Sequence, residues 1–431
     1  MKRKAAALAV GALFIAPAAH AQIVFGNPQL GTLQVYGKLY PQFGYGSSKD
    51  ASQPGTSVST LVSTTGTLPA GAFIPTAGSR RAIDTQNSYI GFRGERDITS
   101  QRIKFIWQIE QSVQFDTGDA TWSNRNSFLG ARTGWGTVKL GNMDTIYKEY
   151  GDTLQMFGIS SGNFVSASNV LSQIGVGNSS SASFHLRKAN SIQYETPTFA
   201  GITFGYQYSP DEKRDTTNAS GTCTTGATTA NSTCGRDASL HSYGVKWDSE
   251  KLYLSVHQEV HNDFFGGSNN LGAATLSNAA TQGAHSQDMG TRFSAEWRYM
   301  QDQRVTLDVA RLRYREFGQV VAGRFERYTH NTWALGWDGG FGGPFRFAAQ
   351  YVQGNEGSCE LTGGVSCSTT GLTGKMLNLG VRYRFDRQTF VYAIAGKLWN
   401  GPSARYDNWA ASDPARGADI LQTALGLSYS F

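Results

Sequence analysis

The chain has 431 residues, of which 39% are apolar, with 51 glycines against 11 prolines and a formal net charge of +6. Mean hydropathy is −0.34, and no apolar run beyond the N-terminal stretch reaches the ~18 residues that a spanning helix requires, which excludes a helical-bundle membrane protein. No compact basic run is interleaved with aromatics, so a nucleic-acid partner is excluded too.

The chain opens on a leader. Met1-Lys2-Arg3-Lys4 is a positive head, Ala5 to Ala19 is apolar but for Gly11 and Pro17, and Ala19-His20-Ala21 is a small-residue cleavage site. Residues 1–21 are therefore expected to be an export signal, with the mature domain covering 22–431. Losing Lys2, Arg3 and Lys4 lowers the net charge from +6 to +3.

From Leu33 onward, apolar and aromatic residues recur at every second position, the period of a strand with one oily face. The first run is Leu33 to Leu39, continuing to Phe43 and Tyr45. A Ser/Thr/Gly-rich connector follows from Gly46 to about Arg81. Next come Ser88 to Gly94, a tight turn at Glu95-Arg96-Asp97, and Ile103 to Glu110 with Ile103, Phe105, Trp107 and Ile109 on one face.

The pattern repeats to the end of the chain. Outer faces are expected at Ile202/Phe204/Tyr206/Tyr208, Tyr243/Val245/Trp247, Leu252/Leu254/Val256 and Phe293/Ala295/Trp297/Tyr299. Others fall at Trp333/Leu335/Trp337, Phe345/Phe347/Ala349/Tyr351, Leu377/Leu379/Val381/Tyr383/Phe385 and Phe390/Tyr392/Ile394. Connectors at 248–251, 300–303, 339–343 and 386–388 are short, as in tight turns. Those near 210–237, 262–287, 354–373 and 400–418 are long. The last run is Thr423, Leu425, Leu427, Tyr429 and Phe431, with Ala424, Gly426, Ser428 and Ser430 on the other parity.

Oily faces alternating with wet ones, short turns on one rim and long loops on the other describe an all-β fold. The expectation is a transmembrane antiparallel β-barrel of about sixteen strands with both ends on the short-turn side. A soluble β-sandwich shares the alternation but needs neither the leader nor so many aromatics on the outer parity. Between Val305 and Arg315 the apolar parity switches, so a β-bulge is expected near Ala310 to keep Arg311, Arg313 and Arg315 from lipid.

Cys223 with Cys234, and Cys359 with Cys367, form two local pairs in Gly/Thr/Ser-rich connectors. In an oxidising compartment they are expected to be loop-tip disulfides. A four-cysteine metal site would need two distant loops to converge, and neither pair has metal-ligand spacing.

These residues resemble the general, trimeric porins of Gram-negative outer membranes, over the whole chain. Ser88 to Asp97 is similar to the family's second strand and first turn, and Ile106 to Glu110 to its third strand. Asn124 to Gly130 followed by Gly136 to Gly141 resembles its fourth and fifth. The terminal strand with Tyr429 and Phe431 resembles its assembly signal. The resemblance implies a homotrimer set in outer-membrane lipid and lipopolysaccharide, inserted by the barrel-assembly machinery, with no cofactor and no catalytic residue.

The family also implies that the loop at about Asn142 to Gly177 folds into the lumen opposite a basic wall. Met143, Met156, Phe157 and Phe164 make this segment too apolar for a solvated loop. Arg125 and Arg187 match family positions in that wall, which Arg93 and Lys104 would complete, while Asp144, Glu149 and Asp152 would supply the loop's charge. Alternation puts Lys38, Arg346, Arg382 and Arg384 on the lumen parity. Phe128 and Leu129 have opposite parity, so pattern alone does not orient Arg125 or Arg132. The sequence departs from the family in having Tyr89 where an arginine often precedes the Gly-Phe pair, and in its thin acidic cluster. A basic wall facing a mostly neutral loop lowers the barrier to anions, so weak anion preference or near non-selectivity is expected.

Other motifs carry less. Gly158-Ile159-Ser160-Ser161-Gly162 fits a nucleophile pattern, but no strand–turn–helix is readable around it. His257 and His261 would sit about 13 Å apart on a strand, too far for a shared metal. Two rival functions are weighed: a substrate-specific porin, for which Arg311/Arg313/Arg315 would form a lumen track, and a barrel adhesin using the disulfide-closed loops.

Overall fold

The computed structural model describes residues 23–27, 31–71, 78–98, 102–118, 122–159, 161–177, 182–210, 238–271, 284–319, 321–408 and 414–431. Twenty strands form one antiparallel sheet. The first are β1 (Ile23–Asn27), β2 (Gly31–Leu39), β3 (Gln42–Lys49), β4 (Gly78–Asp84), β5 (Tyr89–Ile98) and β6 (Ile103–Ser112). Next come β7 (Ser127–Thr133), β8 (Gly136–Asp144), β9 (Arg187–Glu195), β10 (Ile202–Pro210), β11 (Ser239–Asp248) and β12 (Leu252–Asn262). Then follow β13 (His285–Met300), β14 (Gln303–Phe317), β15 (Phe325–Gly340) and β16 (Phe345–Gly354). The last are β17 (Ser358–Leu361), β18 (Gly374–Arg384), β19 (Thr389–Asn400) and β20 (Asp419–Ser430).

Each strand pairs with its neighbours, and β20 returns to pair with β3 and the end of β2. β2 and β3 form one stave interrupted at Tyr40 and Pro41, and β4 and β5 another interrupted at 85–88. With β1 and β17 set aside as additions to the rims, the wall is a closed barrel of sixteen staves. Closure removes the unpaired edges that an open sheet would present. At the seam Gly37 and Phe431 exchange two backbone bonds, of 2.9 and 3.0 Å. No helix among the described residues is long and apolar enough to cross a membrane; the crossing is made by strands.

Short turns gather on one rim. Between β9 and β10, Ala200 and Gly201 both take positive φ (48° and 84°), the paired left-handed geometry of a two-residue hairpin. The turn expected at Glu95-Arg96-Asp97 falls later. Those residues stay in β5, Asp97 pairs across to Lys104, and the chain reverses only after Ile98.

Leu129, Leu140, Phe204, Leu335, Leu379 and Leu425 point outward and are exposed, as the apolar faces of a lipid-facing band must be. β19 is inverted relative to the expectation: Tyr392 and Ile394 are 3% exposed and face inward, while Val391, Ala393 and Ala395 face out. The reason is that the interior here is not wet. Tyr392 stacks on Tyr40 at 4.9 Å and packs against Phe157 at 6.4 Å.

No bulge occurs at Ala310. β14 keeps unbroken register with β15 from Gln303 to Arg315, and Arg311 and Arg315 are exposed on the outer parity with Leu307 and Val309. The strand has 15 residues, roughly 50 Å at the usual rise, against an apolar band of about 25 Å. The outward row beside Arg311 is polar, Thr291 on β13 and Asn331 on β15, so an outward arginine here replaces no apolar neighbour and the backbone needs no kink. The arginines also form no track in the lumen.

Candidate pore constriction

The connector from β8 to β9 turns into the barrel instead of leaving it. It begins with the helix α1 (Ile146–Gly151), capped by the Thr145 side chain, which accepts from the Lys148 amide at 3.3 Å. α1 lies on the inner faces of β11 and β12. The Tyr147 amide donates to Ser242 Oγ at 2.8 Å, and the Tyr150 carbonyl accepts from Tyr253 and Ser255 at 2.7 and 3.0 Å. A buried ion pair on β13 and β14, Arg292 with Asp308 at 2.9 Å, clasps the end of the helix. Arg292 donates to the Gly151 carbonyl, and Asp308 accepts from the Thr153 hydroxyl at 3.0 Å.

Beyond this clasp the loop follows the wall round to the far side. Tyr40 donates to the Phe157 carbonyl at 3.1 Å, Asn87 to that of Ser161 at 3.1 Å and Asn378 to that of Val165 at 3.2 Å. A second short helix, α2 (Ser168–Leu171), is held by Thr332, which donates to the Leu171 carbonyl at 2.7 Å. Glycines on the lumen parity let the loop sit close. A Cβ on Gly336 would lie 2.2 Å from Leu154, on Gly380 2.6 Å from Phe157 and on Gly290 2.6 Å from Phe184.

Basic side chains gather where this loop faces β2, β5 to β7 and β18. Lys38 donates to the Gly158 carbonyl at 3.4 Å and stands 4.0 Å over the Tyr40 ring. Arg382 lies 5.9 Å from the Phe157 ring and 5.2 Å from Phe390. Among the described residues neither Lys38 nor Arg382 has a carboxylate within ion-pair distance. Arg125 stacks over Tyr89 at 4.8 Å and approaches Glu110 at 3.7 Å; Arg93 covers Tyr36 at 4.7 Å. Arg187 and Lys148 each reach Asp144 at 3.0 Å.

The other sequence candidates are placed elsewhere. Lys104 pairs with Glu95 at 2.6 Å and Asp97 at 3.4 Å. It stands six residues before Glu110 on β6, roughly 20 Å towards the short-turn rim. Arg346 is held by Asp338, which also takes Arg304, and Arg384 is exposed at the same rim. Glu149 does not face the basic wall: it accepts from Gln193 at 3.3 Å, and burial, then the nearby Glu195, pushes its carboxyl above the ordinary range. Asp152 turns away too, lying 3.2 Å from His185. Burial pushes its carboxyl up to about 7, against the pull of Lys148 and Arg292.

Cys359 and Cys367 are disulfide-bonded, closing the connector between β16 and β18. Cys223 and Cys234 lie outside the described residues, as do Ser160 and the leader 1–21. His257 and His261 both face inward on β12. His261 pairs with Glu259 at 2.8 Å, and His257 meets the Tyr147 ring edge-on at 5.0 Å. Among the described residues no His/Cys/Asp/Glu group is arranged to hold a metal.

Sequence reasoning missed Tyr36, Glu110, Lys148 and the Arg292–Asp308 clasp. Glu110, Arg292 and Asp308 were within reach: each follows or precedes an outward aromatic or aliphatic by one residue, which places it in the lumen. Lys148 was not, because a loop carries no parity.

The model of the family described as Gram-negative porin matches residues 5–430. The major outer membrane protein P.IB of Neisseria lactamica is 35% identical over 134 residues, 31% of this chain and 36% of the relative. That of Neisseria gonorrhoeae is 30% identical over 29% of this chain and 33% of the relative. The chain thus aligns with about a third of the length of these curated relatives. Among solved structures, an anion-selective porin from Comamonas acidovorans superposes with a TM-score of 0.63 at 16% identity, over 93% of this chain and 100% of that one. OmpF of Salmonella typhi gives 0.55 at 14%, over 95% and 100%; both show likeness of fold. With the family match running nearly end to end on a closed barrel that holds an inward loop, this chain belongs to the Gram-negative porin family.

Proposed function

We propose that residues 22–431, after removal of the export signal 1–21, form a water-filled outer-membrane channel for passive diffusion of small hydrophilic solutes and ions, with a weak preference for anions. No covalent step is involved. The carrying observation is the imbalance at the constriction. Lys38 and Arg382 stand beside the loop without an ion-pair partner among the described residues, whereas Asp144 is shared between Arg187 and Lys148. Fixed positive charge in a narrow, low-dielectric passage raises the local anion concentration. The solved porin called anion-selective shares only the fold, so the sign rests on these side chains. Arg93 and Arg125 add to the field; Lys104, paired at the rim, adds little.

Assembly as a homotrimer is part of the same reading. β7 and β8 have only 7 and 9 residues, against 15 or 16 in β13 to β15. A low wall bearing exposed Leu129 and Leu140 suits burial against another copy better than a full lipid crossing. Lipid and lipopolysaccharide would then cover the tall side, and the barrel-assembly machinery would receive the strand ending in Tyr429 and Phe431.

The test is the purified protein in planar bilayers across a KCl gradient. Steady conductance with a reversal potential of anion sign is expected. A clear cation preference overturns the sign, and absence of conductance overturns the channel, leaving a surface-recognition role for the disulfide-closed loop.

A further inference from the structure

The second half of the constriction loop, residues 161–177, is reached from two sides. From the wall, Asn378 and Thr332 hold its carbonyls. From the mouth it is met by the connector between β19 and β20, whose Arg405 amide donates to the Gly175 carbonyl at 2.7 Å. The next residue of that connector, Tyr406, is 1% exposed and lies between the loop and the wall.

Three glycines make its slot. Gly354 and Gly374 pair across β16 and β18 on the inward parity and form the floor, and Gly175 of the loop is the roof. A Cβ on Gly354 would lie 2.5 Å from the Tyr406 hydroxyl, on Gly374 2.4 Å from the ring and on Gly175 2.5 Å from it. The ring therefore fills the gap between wall and loop at this point. Its hydroxyl has no hydrogen-bond partner among the described residues, so the side chain acts there by its thickness. The backbone is fixed separately. Asn400 accepts from the Tyr406 amide at 2.8 Å and donates to the Tyr406 and Ala418 carbonyls at 3.0 and 2.8 Å. The first long connector backs it up. The Ser59 amide donates to Ser403 Oγ at 2.7 Å, and Val58, Leu61 and Val62 share one buried apolar cluster with Tyr406, Val170 and Leu171.

We propose that Tyr406 is a positioning residue for the pore. It is a wedge, carried by the last outer connector, that fixes how far the loop stands off β16 and β18 and so sets the size of solute admitted. This rests on the channel reading. Close-packed interiors transmit a displacement instead of absorbing it, so the thickness of the wedge is passed on to the loop. The Arg292–Asp308 clasp holds the exit from α1; the wedge acts further along, at Gly175. A passage bounded by a loop pinned at two points changes its width when either pin is altered.

The experiment uses the mature protein in planar bilayers. Conductance is read in KCl with polyethylene glycols of graded mass, which give the size cut-off. Tyr406→Ala should raise both conductance and cut-off, since the loop can settle back against the wall. Tyr406→Phe should match the parent, because the hydroxyl it removes is unpartnered. Gly354→Ala should do the reverse of Tyr406→Ala, displacing the ring towards Gly175 and lowering both readings. Adding Tyr406→Phe removes the atom that the new methyl strikes and should restore them. Phe325→Ala removes a fully buried ring of the same cluster that abuts Gly267 of another connector; it should lower the melting temperature and leave the cut-off parental. An unchanged cut-off in Tyr406→Ala, no recovery in Gly354→Ala/Tyr406→Phe, or an equal change in Phe325→Ala overturns the wedge. If Tyr406→Ala does not fold, Gly354→Ala and Gly354→Ala/Tyr406→Phe carry the test. A parent without conductance overturns the channel reading itself, whereas a conducting parent with an unmoved cut-off in the variants overturns the wedge alone.

Discussion

Arg292 on β13 donates to the backbone carbonyl of Gly151 while its guanidinium is paired with Asp308 on the next strand. A wall residue thus holds the point at which the inner loop leaves α1, and holds it from a buried position. The loop behaves as lining, not as a flap.

Removing one half of this clasp should therefore loosen the lining. Arg292→Ala leaves Asp308 buried without its partner, a loss of about 3–5 kcal/mol. Single-channel recordings should show larger and noisier conductance, with admission of bulkier ions. Arg292→Leu combined with Asp308→Leu should recover part of the lost thermal stability. Parental conductance in the single variant would mean that the loop is held elsewhere.

A complementary change pushes the loop inward. Gly380 faces Phe157, and a Cβ there would lie 2.6 Å from the ring. Gly380→Val should displace Phe157 towards Lys38 and reduce conductance, with the outer surface and the heat-modifiable gel shift unaltered. Gly343, which has open space around it, serves as the control: Gly343→Ala should conduct normally.

The sign of selectivity should follow Lys38 and Arg382. Lys38→Gln/Arg382→Gln removes two cations beside the loop that have no carboxylate within ion-pair distance among the described residues, and the reversal potential in a KCl gradient should move towards cations. Lys104→Gln, which frees Glu95 and Asp97 at the rim, should move it much less.

Asp152 predicts a pH dependence. Burial raises its carboxyl to about 7 in the folded protein, against about 3.9 in an unfolded chain. Between those values the folded state binds more protons, so its stability falls as pH rises through the window. Thermal midpoints measured from pH 4 to pH 8 should decline in the parent, and Asp152→Asn should flatten that decline. A parental slope in the variant would assign the titration to another group.

Reduction of Cys359–Cys367 tests the outer loop. The bridge closes a segment of 8 residues' separation, for which chain entropy gives about 2–3 kcal/mol. Cys359→Ser/Cys367→Ser should lower the melting temperature and leave conductance unchanged, because this loop is paired to β15 and takes no part in the constriction.

The barrel was legible because its physics repeats. Every second residue meets lipid, so Phe204, Leu335 and Leu425 declared their face, and Gly-containing connectors declared the rims. The reading failed where a residue's surroundings depend on a distant segment. Tyr392 and Ile394 read as lipid-facing because nothing in their own strand reveals Phe157 on the inner side. The expected bulge at Ala310 assumed that the apolar band extends the length of the strand, whereas β14 outruns it. At the constriction, Lys38 and Arg382 followed from parity. Glu149 and Asp152 did not, since only the path of the loop decides which way its carboxylates turn.

The seam between Gly37 and Phe431 sets a condition on biogenesis. Until residue 431 has been synthesised, every nascent length carries two raw margins able to template growth onto a neighbouring molecule. The barrel accordingly cannot seal on a chain that lacks the last stave, because β2 and β3 close only against it. Products truncated before the final stave should accumulate in periplasmic aggregates, with none recovered from the membrane.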